Sequence, residues 1–110
     1  MNQPVLYGVY TAKFSYLDSD SDKIRPVIVI SNSFSRHNII AVVPVYSKLN
    51  KESVDVFVED WDKSGLLRPS VARVHRLITM LEADLGSQLG VLGTADTKKL
   101  QVSIRKFLEL

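Results

Sequence analysis

Pro26-Val27-Ile28-Val29-Ile30-Ser31 is apolar on both sides of a two-residue repeat. Val27 and Val29 share one face, Ile28 and Ile30 the other, so the stretch predicts a central strand covered on both faces. Pro26 has no N–H and suits the first residue of such a strand. Upstream, Val5 to Phe14 reads as a strand in which Gly8 marks a bulge or a close backbone approach. Ser15 to Ile24 is a turn-prone loop of small polar residues and aspartates. Downstream, Asn32 to Asn38 is a polar connection carrying Arg36 and His37, and Ile39 to Tyr46 is a second apolar strand. Lys48 to Ser53 is a charged turn. Val54, Val56 and Val58 then alternate with Asp55, Phe57 and Glu59, which predicts a half-buried strand with the second set outward. Asp60 to Pro69 connects it to Ser70–Leu77, a strand running on to Met80. Glu82 to Leu89 reads as a short helical turn ended by Gly90.

The period then changes. Leu100, Ile104, Phe107 and Leu108 fall on one side of a helix, and Lys98, Lys99, Gln101, Arg105 and Lys106 on the other. Thr94 is the expected N-cap, with Asp96 in the first turn where the dipole favours it. Five or more short strands followed by one helix predict a mainly β fold, a small, strongly bent antiparallel sheet or barrel with a C-terminal helix. At 110 residues, without repeats or a linker, residues 1–110 are expected to form a single domain.

Composition narrows the chemistry. An apolar fraction of 45% and a charged fraction of 24% describe a globular chain. With no cysteine, thiolate catalysis, zinc–cysteine sites and iron–sulfur clusters are excluded. No apolar run reaches the roughly 18 residues that span a bilayer, and Met1-Asn-Gln-Pro4 is not expected to open a signal peptide. A cytoplasmic protein without a membrane partner is expected. A net charge of +2 is compatible with nucleic acid and equally with an ordinary soluble protein.

Asp18, Asp20 and Asp22 alternate as in a calcium loop. Counted from Asp18, however, the positions that require glycine and glutamate hold Lys23 and Val29, so a solvated acidic loop is expected. His37 and His75 lack partners at metal spacing, and no metal or cofactor is expected. Gly90 and Gly93 read as turn glycines on the approach to the last helix. Arg73 and His75, two residues apart on a predicted strand, should project from one face, while Ala72 and Val74 turn to the core. Arg25 sits where the acidic loop meets the central strand, a stiff base suited to bidentate phosphate binding. Tyr46 and Ser47 place hydroxyls at the end of the second strand.

In order along the chain, three blocks resemble the MazF/PemK toxins. They are Lys23-Ile-Arg25-Pro26 with its apolar strand, Val42-Val-Pro44-Val45-Tyr46-Ser47, and Gly65-Leu66 through Ser70-Val-Ala-Arg73-Val-His75-Arg76-Leu77. Leu89-Gly90-Val-Leu-Gly93 and the last helix are similar to the family's ending. The resemblance implies an SH3-like barrel with a C-terminal helix, usually a homodimer. It implies a toxin of a type II toxin–antitoxin pair, a metal-independent, sequence-specific endoribonuclease that cuts mRNA and is blocked by a cognate antitoxin protein. In the family, the arginine at Arg25 and a hydroxyl residue on the next strand form the usual active-site pair. That hydroxyl position reads Tyr46 here, with Ser47 beside it. Some members carry an arginine and an aspartate two residues apart as acid–base groups, and the matching positions are Arg73 and His75. The same fold also serves toxins that bind DNA gyrase without cutting RNA. Partner binding, or a neutralised remnant active only in an antitoxin complex, therefore stand as alternatives.

These residues support a cleavage mechanism that uses the RNA 2′-OH, a group DNA lacks. Histidine, with an ordinary pKa near 6.5, accepts a proton at neutral pH, so His75 is the expected general base. Arg25 and Arg73 would hold the phosphate. Ser47 or the Tyr46 hydroxyl would donate to a non-bridging oxygen. Lys23, Arg76 and Tyr16 complete the expected contacts to single-stranded RNA, Tyr16 as a stacking platform. The general acid is unassigned, and the expected products are a 2′,3′-cyclic phosphate and a 5′-hydroxyl. Phe57, on an otherwise polar strand face, calls for cover, so a homodimer through strand ends and the side of the terminal helix is expected. The antitoxin is expected to bring an acidic or partly disordered segment over the basic groove.

Overall fold

Strand Ile39–Tyr46 is the piece on which the rest of the fold is arranged. The computed structural model describes residues 3–13, 24–34 and 36–110. Among them the strands are β1 Gly8–Lys13, β2 Ile24–Val29, β3 Ile39–Tyr46, β4 Val56–Val58, β5 Ser70–Ala72, β6 Ile78–Leu81 and β7 Leu85–Val91, followed by helix α1, Thr94–Leu108. All described pairings are antiparallel. The strand order is β4-β5-β3-β2-β1-β7, with β6 also on β3. The mainly β architecture and the terminal helix agree with the sequence reading. The sheet bends without closing, because β4 and β7 stand at opposite ends of its path.

The double-sided apolar pattern does what it predicts. Ile28, on β2, packs with Val9, Val43, Val45, Val74 and Leu100 in the core beneath α1. Val27 and Val29, on its other face, pack with Ala12, Ile40, Val42 and Met80. Each such side chain contributes about 1.5–3 kcal/mol when fully buried, so this strand carries much of the stability. It begins two residues before Pro26 and ends at Val29, not at Ser31. Pro26 is paired with Thr11 on the β1 side. The β3 ladder begins only at Val27, so the missing N–H of Pro26 costs no bond. The expected irregularity near Gly8 lies at Val9/Tyr10, where the β1–β7 register shifts.

Three local expectations are corrected. Ser70 to Met80 is not one strand: it divides into β5, a 3₁₀ turn at Val74–Arg76, and β6. Ala72 faces Val45 and Ile78 faces Val42, so residues 73–77 span what residues 43–44 cover on β3. The surplus chain is extruded as a turn, held by bonds from Arg73 N–H to the Pro44 carbonyl (2.9 Å) and from Leu77 N–H to the Val74 carbonyl (3.0 Å). Only Glu82–Asp84 of the predicted turn at 82–89 is helical. From Leu85 the chain extends as β7 and pairs with β1, where tertiary pairing overrides local preference. Finally, Gly93 and not Thr94 occupies the N-cap, and Thr94 is the first helical residue.

Two glycines let the 60–66 segment approach β7. Gly65 has φ +90°, and a Cβ there would strike the Leu89 carbonyl; a Cβ on Gly90 would strike the Ser64 carbonyl. Leu100 of α1 is buried and Ile104 packs against the same core, while Phe107 and Leu108 remain substantially exposed. Among the described residues no helix is long and apolar enough to cross a membrane.

Candidate active site

The β2–β3 register builds the site. Val27 faces Pro44; two residues further out, the same register sets Arg25 beside Tyr46. The Arg25 guanidinium lies 4.2 Å from the Tyr46 ring centroid, and those of Arg73 and Arg76 lie 5.5 Å away. The negative face of the ring favours such neighbours, by about 0.5–2 kcal/mol for one well-placed cation. Arg76 Nη1 also donates to the Tyr46 hydroxyl oxygen at 3.2 Å. That bond occupies an oxygen lone pair and leaves the phenolic proton for another acceptor.

Arg25, Tyr46, Ser47, Arg73, His75 and Arg76 line one cleft of about 430 Å³, together with Lys48, Asn50 and Glu52. The predicted site residues among those described are thus brought together. Tyr16, Lys23 and the aspartates at 18, 20 and 22 lie outside the described residues. Beyond Arg25 and Ser47 the cleft continues into a mainly apolar groove that includes Ile24, Pro26, Leu66 and Leu67.

The reason given for the Arg73–His75 pairing is corrected, although the pairing stands. The two do not alternate along a strand: Arg73 precedes the 3₁₀ turn and His75 lies within it. They meet because both contact Asp55. Asp55 Oδ1 is 2.8 Å from His75 Nδ1 and 3.3 Å from the His75 N–H, and Oδ2 is 3.4 Å from Arg73 Nη1. Arg73 Nη2 further donates to the Lys48 carbonyl at 3.1 Å and to Asn50 Oδ1 at 3.4 Å. Arg73 is buried and His75 half-buried, so the first braces the wall of the cleft while the second stands in it.

Asp55 is the residue the sequence reading misplaced. Alternation put it outward beside Phe57; it is 3% exposed, while Phe57 is 43% exposed as predicted. The ladder of β4 begins only at Val56, so the period-2 rule does not extend back to Asp55. Glu52 N–H donates to Asp55 Oδ2 at 2.9 Å, and Asp55 N–H to the Glu52 carbonyl at 3.0 Å, closing a turn that rotates the carboxylate inward. The Glu-x-x-Asp spacing was visible, but it is common in surface turns. Burial by itself would raise the Asp55 pKa. The His75 side chain, the backbone N–H groups of Glu52 and His75, and the charge of His75 together bring it below the ordinary carboxylate value.

The model of the PemK-like, MazF-like toxins of type II toxin–antitoxin systems matches residues 7–108. Among solved structures, the chain is similar to Mycobacterium tuberculosis toxin MazF-mt6, with 25% identity and TM-score 0.74, over 94% of this chain and 97% of that one. It also resembles an endoribonuclease in complex with its cognate antitoxin from a mycobacterial species, with 20% identity and TM-score 0.74, over 97% and 96%. The MazE–MazF structure from Deinococcus radiodurans is alike in fold at 13% identity and TM-score 0.74, over 100% and 99%. No curated protein matches the sequence.

Proposed function

From a chain that belongs to the PemK-like, MazF-like toxins of type II toxin–antitoxin systems, we infer an endoribonuclease that cuts single-stranded RNA. The observation that carries this reading is the convergence on one cleft of three arginines, two hydroxyls and a half-buried imidazole. A phosphodiester needs cations around it, and attack by the 2′-oxygen needs a base beside it. His75 takes the 2′-OH proton, the 2′-oxygen bonds to phosphorus, and the P–O5′ bond breaks. The 5′-oxygen leaves as a hydroxyl protonated by solvent, and the other product ends in a 2′,3′-cyclic phosphate. Arg25 and Arg76 hold the non-bridging oxygens, Tyr46 or Ser47 donates to one of them, and Arg73 adds charge while bracing the wall. Lys23 and Tyr16, which lie outside the described residues, serve as further RNA contacts.

A cognate antitoxin is the natural partner of this reading, as in the mycobacterial complex similar in fold. An acidic antitoxin segment would answer the charge of the three arginines. A homodimer that covers Phe57 is proposed from its exposure. The test is purified protein with one long, defined single-stranded RNA in excess EDTA, with Arg25→Ala as the contamination control. Cuts at a recurring short motif that vanish in the variant are expected. Intact RNA from folded protein would sink the reading in favour of a toxin that binds a protein target such as DNA gyrase.

A further inference from the structure

The buried carboxylate behind the cleft has no place in that cleavage scheme. We propose that Asp55 is a positioning residue, which accepts the His75 Nδ1–H and so holds the imidazole with Nε2 unprotonated and turned to the cleft. This deepens the ribonuclease reading and rests on it for its kinetic consequence.

Geometry carries the inference. One oxygen, Oδ1, meets both the ring Nδ1 (2.8 Å) and the backbone N–H (3.3 Å) of His75, so backbone and side chain are tied to a single atom. The other, Oδ2, is occupied by Glu52 N–H and Arg73 Nη1. The Asp55 side chain is fully buried, whereas 32% of the His75 side chain is exposed. The edge of the ring opposite the carboxylate is therefore its open edge, and Nε2 makes no hydrogen bond to a described residue. An ionised carboxylate only accepts, and the Asp55 pKa lies below its ordinary value. A neutral His75 must then carry its proton on Nδ1, which leaves the Nε2 lone pair for the 2′-hydroxyl. The other charged groups around the pair are Arg73 on Oδ2, Lys51, whose Nζ is 3.2 Å from the Asp55 carbonyl, and Arg25, Lys48, Glu52 and Arg76 along the cleft. None of them meets the ring at Nδ1, so the tautomer rests on Asp55.

The experiment has two parts. The first is a long-range ¹H–¹⁵N spectrum of the full-length protein, at a pH where His75 is neutral, with His75→Gln to assign its signals. The Nδ1–H tautomer is expected, and the Nε2–H tautomer would overturn the proposal. The second compares the wild type with Asp55→Asn in single-turnover cleavage at saturating RNA. The asparagine amide can donate to Nδ1 and stabilise the wrong tautomer. The cleavage rate should then fall by about 10³–10⁴-fold, as expected when a base is held in the wrong tautomer, with RNA affinity retained. An Asp55→Asn rate equal to wild type would overturn the proposal, as would a loss confined to RNA binding. If the variant does not fold, the wild-type spectrum still decides the tautomer. If the wild type fails to cut RNA, the ribonuclease reading falls, while the spectrum separately decides whether Asp55 orients the ring.

Discussion

Two buried aspartates bracket the three-residue strand β4, and they do different things. Asp96, on the first turn of α1, is 1% exposed. Its carboxylate accepts the backbone N–H groups of Glu59 (3.1 Å) and Asp60 (3.0 Å), just past the C-terminal end of β4, and pairs with Lys99 of its own helix (3.3 Å). Asp55, just before β4, is nearly as buried. Besides backbone N–H groups, it holds the side chains of His75 and Arg73, which line a cleft. A carboxylate spent on the main chain of another element, as Asp96 is, ties elements together. One spent on side chains that line a cleft, as Asp55 is, fixes how those side chains stand in it. Burial is the same in the two cases, and what separates them is that the side chains on Asp55 line the cleft with Arg25 and Tyr46.

The strongest test of this contrast is on the cleft side. His75→Ala should lower single-turnover cleavage at saturating RNA by about 10²–10⁴-fold, the usual loss with a general base, while the protein still unfolds cooperatively. A wild-type rate would remove His75 from the proposed chemistry, and with it the functional half of the comparison.

On the scaffold side, Asp96→Ala leaves two backbone N–H groups without their acceptor. It should cost about 2–5 kcal/mol in urea denaturation, with the cleavage rate of the folded fraction unchanged. A loss of cleavage without a loss of stability would erase the distinction.

Acid should expose the Asp55 centre. Its folded pKa is below the ordinary 3.8, so its stabilising contribution is fully present above that value and is lost as pH falls through the lowered one. The stability gap between wild type and Asp55→Asn should be present above about pH 4 and shrink below it. A gap that widens in acid would contradict the sign.

The smallest effect belongs to Lys99. Burial lowers its pKa, but hydrogen bonds to Glu59 and Asp96 outweigh this and leave it raised above 10.5. Its contribution is therefore present below that value and lost as pH rises through the folded one. The side chain is 40% exposed, so Lys99→Met should cost no more than about 1 kcal/mol at neutral pH. A larger loss by thermal denaturation would make the helix-end ion pair a principal anchor beside Asp96.

Much of the frame was determined by the sequence alone. The two-sided apolar run at residues 26–31, the strand at 39–46 and the apolar helical stripe containing Leu100 and Ile104 each obey a local period. Period is set by backbone geometry that a residue shares with its near neighbours. The grouping of Arg25, Tyr46, Arg73 and His75 was also legible, because ordered blocks of sequence resemble a family and carry its positions with them; the four line one cleft. Only the tertiary structure decided the rest. It extruded residues 73–77 as a turn, because β5 and β6 pair with β3 at registers that leave surplus chain between them. It drew β7 out of an apparent helical turn, because an unpaired edge of β1 was there to bond. It brought three guanidiniums to one tyrosine ring and set His75 and Arg73 on the Asp55 carboxylate. Those contacts join residues 18 or more positions apart, and no local period reports on a partner that the chain reaches only by folding.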